Sequence, residues 1–279
     1  MPLTMLRACV LIAVALFAGS AHAAPFDFLD GLEDLIAGKH KWEGAVGMTV
    51  GYGPAYTGSD DYGVGLKPAL YLRYGRFSIS TGAGFTTRRA DQVLRGLGVD
   101  VWSTDRIRVS LAARLDNGRS ESSTPALAGM GDIEGTLRAR ASALWRLDEG
   151  WQLGSALSID ALGRGQGALG ELSFARETLL TADTVWVWGG SLTFGDATYM
   201  RSYYGVTAAQ AANTGYPQYV PSAGLRDLAL SMGLRSELSP DWVGYINGGV
   251  SQSLGPLLDS PLVVKPLGWG INAGLAWRF

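Results

Sequence analysis

Pro266-Leu-Gly-Trp-Gly-Ile-Asn-Ala-Gly-Leu-Ala-Trp-Arg-Phe279 decides the fold. Ile271, Ala273, Leu275, Trp277 and Phe279 share one apolar face, while Asn272, Gly274, Ala276 and Arg278 take the other. Alternation with a period of two belongs to a β-strand whose faces meet different surroundings. The apolar face persists to the terminal aromatic. That suits the closing strand of a membrane barrel, which pairs with the first strand and turns its outer face to lipid. The competing reading of this stretch alone is the edge strand of a soluble β-sandwich.

The same alternation recurs upstream, over 42–53, 62–74, 76–86, 92–102, 105–117, 132–147, 151–162, 170–181, 184–197, 224–238 and 241–254. It is clearest in 105–117, where Ile107, Val109, Leu111, Ala113 and Leu115 oppose Arg106, Arg108, Ser110, Arg114 and Asp116. It is weakest in 170–181. The connections supply independent information. Those after the even-numbered segments are a few residues long, whereas 54–61, 87–91, 118–131, 163–169, 198–223 and 255–265 are longer. Short periplasmic turns facing long external loops, with an even strand number, define an outer-membrane barrel. The sequence therefore predicts an all-β, antiparallel transmembrane barrel of about twelve strands over 42–279, closed by its C-terminal strand.

Energetics orient the two faces. An arginine on the lipid face near the bilayer midplane costs about 2–4 kcal/mol. Arg106, Arg108, Arg114, Arg138 and Arg140 are accordingly placed in the lumen, with Glu134, Asp116 and Asp227 among the acids available to neutralise them. Such charges either form a structural ion network or line a charge-selective solute path. Trp42, Tyr52, Tyr74, Trp145, Trp151, Trp242, Trp277 and Phe279 lie near strand ends, as interfacial girdles require.

The N-terminus sets the compartment. Arg7 precedes an apolar run from Ala8 to Ala18, and Ala21-His-Ala23 supplies a small-x-small cleavage pattern. Residues 1–23 read as a secretory signal peptide, and the run is too short to span a membrane as a helix. Residues 24–41 follow as a periplasmic segment, with Phe28, Leu29, Leu32, Leu35 and Ile36 at helical spacing. Loss of the leader removes the one cysteine and leaves His40 as the sole histidine. It also leaves 22 basic against 25 acidic side chains, a net charge of −3 that does not favour nucleic acid as a partner. With no thiol, a single histidine and no recognisable ligand spacing, the chain is expected to be non-enzymatic, with no catalytic residue, cofactor or metal. Gly163-Arg-Gly-Gln-Gly167 is glycine-rich, but no helix pattern follows it as a phosphate cradle requires.

The external loops hold the unusual residues. Asp60 and Asp61 adjoin turn formers, Asp259 lies in the last loop, and 199–224 carries Tyr199, Tyr203, Tyr204, Tyr216 and Tyr219. The tyrosines either pack on one another, with Pro217 and Pro221 stiffening the loop, or present rings to a sugar or protein.

Gly51-Tyr-Gly-Pro-Ala-Tyr-Thr-Gly-Ser-Asp60, with Pro68 and Tyr71 following, resembles the opening of the MipA/OmpV family of outer-membrane proteins. Tyr203-Tyr-Gly-Val-Thr-Ala-Ala-Gln-Ala211 and Tyr219-Val-Pro-Ser-Ala-Gly-Leu-Arg-Asp227 resemble its central block. Asp259-Ser-Pro-Leu-Val263 and Gly274-Leu-Ala-Trp-Arg-Phe279 resemble its end, whereas about 87–200 matches in strand pattern alone. The resemblance implies a scaffold that links a lytic transglycosylase to a penicillin-binding protein in murein assembly. Other members look like adhesion or porin-like proteins, so a narrow channel or a surface-binding protein is the alternative. It transfers no catalytic residue.

Overall fold

A computed structural model describes residues 42–81 and 95–279. The leader 1–23, the segment 24–41 and the connection 87–91 lie outside the described residues. The chain forms β1 (Trp42–Pro54), β2 (Tyr62–Tyr74), β3 (Phe77–Ser80), β4 (Gly96–Ser103), β5 (Ile107–Asp116) and β6 (Thr136–Arg146). It continues as β7 (Trp151–Asp160), β8 (Ala168–Leu179), β9 (Thr184–Gly195), β10 (Gly224–Glu237), β11 (Trp242–Ser253) and β12 (Leu267–Arg278). Each strand pairs antiparallel with its sequence neighbours, and β12 pairs with β1, closing a twelve-strand barrel. No sheet edge is left open, which a strand structure in lipid requires because hydrocarbon offers no hydrogen-bond partners.

Alternation fixes which way each side chain points. On β12, Trp269, Ile271, Leu275 and Trp277 are exposed on the outer wall, while Ala276 is fully buried inside. Its partner β1 turns Val46, Met48 and Val50 outward and Ala45 inward. Phe279 folds across Gly44, where an added Cβ would sit 2.4 Å from the ring. Ala45, Ala69, Tyr71, Val243, Tyr245 and Ala276 pack together inside the wall formed by β1, β2, β11 and β12. The Tyr245 and Thr49 hydroxyls share a hydrogen bond of 3.0 Å across that interior.

The aromatic girdles are present at both ends. Trp42 lies 5.0 Å from Tyr74, and Trp277 lies 5.3 Å from Phe279, at the short-turn end. Tyr52, Tyr62 and Trp269 cluster at the opposite end, where the long loops emerge. The long-loop end is the outer mouth and the short-turn end the periplasmic rim.

Two expectations are corrected. Arg106 and Glu134, placed in the lumen by extending the alternation, lie just outside β5 and β6. Arg106 pairs with Asp148 at the periplasmic rim, with side chains 67% and 85% exposed. Glu134 faces Arg164 at the mouth and is 80% exposed. The alternation predicts a face only while the backbone remains extended, and both residues sit where the chain turns. The weakly patterned 170–181, by contrast, belongs to a full-length strand, β8, paired along both edges.

Candidate functional site

The connection 198–223 is not irregular. It contains α1 (Ala197–Tyr204) and α2 (Ala208–Thr214). Asp196 caps α1 by accepting a bond from the Tyr199 amide, and Thr207 with Gln210 forms a reciprocal capping box on α2. Gly215 ends α2 in the left-handed conformation, φ 76°.

These helices and the neighbouring loops close the outer mouth. Leu127 and Met130, Val206, and Leu262 come from three different connections and form one buried cluster, flanked by Tyr56, Tyr216 and Tyr219. Tyr199, Met200, Tyr204 and Leu257 form a second. Polar bonds tie the loops to one another. Tyr56 donates to the Leu262 carbonyl (2.9 Å), Tyr216 to that of Ala126 (3.1 Å), and Gln210 to that of Met130 (2.6 Å). Tyr219 donates to the Pro256 carbonyl, and Ser260 to that of Tyr204 (2.7 Å). Burial raises the Tyr56, Tyr203 and Tyr204 phenols above the ordinary tyrosine value, so the cap is built from neutral rings. Burial lowers Arg119, whose guanidinium donates to the Tyr203 carbonyl.

Beneath the cap lies a polar cluster centred on Arg138, 1% exposed on β6. Its Nε donates to Asp116 at 2.7 Å, and its other nitrogens reach the Gln166 and Gly167 carbonyls and the Gln166 amide oxygen at 3.3 Å. The Tyr199 ring covers it at 5.6 Å and stacks on Tyr203 at 4.6 Å, whose hydroxyl donates to Gln166. The glycine-rich Gly163–Gly167 stretch is thus a clasp on Arg138. Gly167 has φ 59°, and an added Cβ would collide with the α1 cap at Asp196 and Tyr199.

Asp227 is buried on β10, paired with Arg226, whose Nη1 donates to the Tyr199 hydroxyl at 3.1 Å. Arg226 escapes sequence reasoning because the β9–β10 register shifts between Leu225 and Asp227, and the bulge turns two successive side chains inward. Lower in the lumen, Asp100 accepts from Ser110 and pairs with Arg73 (3.1 Å) and Arg108 (3.9 Å), while Arg140 pairs with Glu171 (3.2 Å). Arg114 differs. It stands opposite Arg138 in the β5–β6 register, with no carboxylate within ion-pair distance among the described residues.

The structure therefore brings Arg138, Asp116, Asp227 and Tyr203 together under the cap, buries Tyr204 within it and leaves Tyr219 half-buried against it. It leaves Asp60 and Asp259 on the outer surface, while Asp61 closes its own loop by accepting from the Ala55 amide (3.0 Å). The tyrosines pack; they do not line an exposed ring surface. Among the described residues no group of three or more His, Cys, Asp and Glu side chains is arranged for a metal ion.

A closed cylinder of strands, apolar outside, charged inside and capped at one mouth, defines an outer-membrane β-barrel protein. The chain belongs to the family described as MltA-interacting protein MipA, whose profile matches residues 46–279. A search of curated proteins finds no significant relative. Among solved structures the chain is similar to the NanC porin, at 10% identity over 83% of this chain and 98% of that one, with a TM-score of 0.44. It is also similar to OprB of Pseudomonas putida, at 8% identity over 91% and 97%, with a TM-score of 0.45. An outer-membrane channel of Pseudomonas putida F1 matches at 14% identity over 94% and 98%, with a TM-score of 0.44.

Proposed function

We propose that this protein is a non-enzymatic outer-membrane scaffold that holds murein-processing enzymes at the inner surface of the membrane. A lytic transglycosylase is the first partner, in keeping with its family's description, and a penicillin-binding protein the second. The observation that carries this reading is the packed mouth. Two buried hydrophobic clusters and a clasped arginine occupy the position where a diffusion porin keeps an opening. Because the periplasmic turns are short, residues 24–41 are the main surface offered on that side, and we assign docking to them. Deleting Phe26–Gly38 while retaining membrane insertion is expected to weaken capture of a purified lytic transglycosylase. Undiminished capture overturns that assignment.

A second reading is favoured by Arg114, which stands opposite Arg138 in the β5–β6 register and makes no ion pair among the described residues. It is a narrow, anion-preferring channel that conducts when the cap moves aside. Planar-bilayer recording separates the two. The scaffold predicts silence from the intact protein, with anion-selective steps appearing once 197–219 is deleted. Discrete steps from the intact protein that weaken in Arg114→Gln favour the channel.

A further inference from the structure

We propose that the outer wall carries a phospholipid-binding site, with Arg176 holding the headgroup phosphate and a neighbouring groove holding an acyl chain. Among the described residues, Arg176 is the only charged side chain on the outward face of a strand. Its face follows from the register: Trp151, Arg176, Trp188 and Met232 are successive partners across β7, β8, β9 and β10, and Met232 is 62% exposed on the wall. In the lumen Arg73, Arg108, Arg138 and Arg140 pair with acids, but Arg176 on the outer wall has no carboxylate in ion-pair range among the described residues, and its Nε is buried without a hydrogen-bond partner.

Aromatic rings hold it in place. The guanidinium lies 5.4 Å from the Trp151 ring, Trp151 and Trp188 meet edge to face at 5.4 Å, and Phe174 completes the cluster at 6.1 Å from Trp188. Cation–π contact orients the group but accepts none of its hydrogen bonds. A phosphate does, in a geometry that matches the planar fork of arginine. The depth agrees: Trp151 opens β7 and Arg176 stands near the end of β8, beside short turns, which places the cluster at the periplasmic interface. Arginine on the lipid face costs little there, about 0–1 kcal/mol against about 2–4 kcal/mol at the midplane.

Farther along β8 from Arg176, at Leu172, the wall is indented. A groove of about 540 Å³ runs over Ala141, Ala143 and Ser155, bordered by Leu172, Leu192 and Phe194. Small side chains on neighbouring strands make the floor and large ones the banks. Leu172 and Arg176 lie on the same face of the same strand, so one amphiphile can reach both. An anionic head beside an apolar slot describes a membrane phospholipid of the periplasmic leaflet.

The test uses the full-length protein, stripped of lipid in non-ionic detergent, given dioleoyl phosphatidylglycerol and examined by native mass spectrometry. Heat-modifiable gel mobility checks that each variant is folded. The proposal expects one phosphatidylglycerol retained per barrel and retention at least about tenfold weaker in Arg176→Gln, the loss of one charge-assisted bond. Ala143→Trp fills the groove, leaves the arginine in place and is expected to weaken retention as well. Dioleoylglycerol, which lacks phosphate, is not retained, and millimolar inorganic phosphate does not displace the lipid. Should either folded variant hold phosphatidylglycerol as the wild type does, or dioleoylglycerol bind equally well, the proposal fails. Displacement by inorganic phosphate would mean a free-anion site and overturns it too. If Arg176→Gln does not fold, Ala143→Trp and the dioleoylglycerol arm still decide.

Discussion

The two ends of this barrel are built on opposite principles. At the periplasmic rim, strands are joined by turns of a few residues, and the charges there, such as Arg106 and Asp148, stand in water. At the outer mouth, connections that are distant in sequence converge on shared clusters, and the charge beneath them, Arg138, has almost no exposure. The rim takes its structure from the strands alone. The mouth has a core of its own, laid across the end of a cylinder that would close without it. An ion pair of the same chemistry is therefore nearly inert at one end and structurally decisive at the other.

The largest expected effect breaks that contrast at its centre. Arg138→Met strands Asp116 beneath the cap and is expected to cost about 3–5 kcal/mol in urea unfolding of the detergent-solubilised barrel. Adding Asp116→Leu should recover much of the loss, since the penalty lies in the orphaned charge. Met200→Ala comes next. It empties a fully buried position in the cap, for about 2–5 kcal/mol. Proteolysis within 197–223 should accelerate while heat-modifiable mobility of the barrel is unchanged, showing that the mouth loosens by itself.

Tyr204 sharpens the comparison through pH. Burial raises its pKa in the folded cap above the ordinary 10.0, so folding favours the neutral phenol. This contribution is complete below pH 10.0, where the unfolded tyrosine is also protonated, and is lost as pH climbs past that value. Alkaline titration should therefore raise proteolysis of the cap, and Tyr204→Phe should flatten that dependence after a neutral-pH loss of about 1 kcal/mol. The smallest effect belongs to the rim: Arg106→Gln should change stability by no more than about 0–1 kcal/mol.

The cylinder was legible because one rule, alternation enforced by lipid on one side and water on the other, repeats along every strand. Tyr62–Tyr74 coincides with its predicted bounds, and β12 has the faces read from Ile271 to Arg278. The same rule misplaced Arg106 and Glu134, because extending parity beyond the last extended residue carries no information about a turn. It missed Arg226 because a bulge breaks parity inside a strand. The cap was legible in composition and not in geometry. A tyrosine-rich loop announces packing, but no period links Tyr56 to Leu262 or Tyr216 to Ala126. Gln166 gave no signal at all; its importance comes from holding both Arg138 and Tyr203.

Ala45 pairs with Arg278, so the ladder that shuts the cylinder joins opposite extremes of the folded chain. Each earlier hairpin can zip with a neighbour already in place, whereas this last ladder bears the closure entropy of nearly the whole polypeptide. Until it forms, β1 and its prospective partner present bare rows of amides and carbonyls to any passing strand. The slow and hazardous moment of biogenesis is therefore the final one, and Phe279 settling over Gly44 marks its completion.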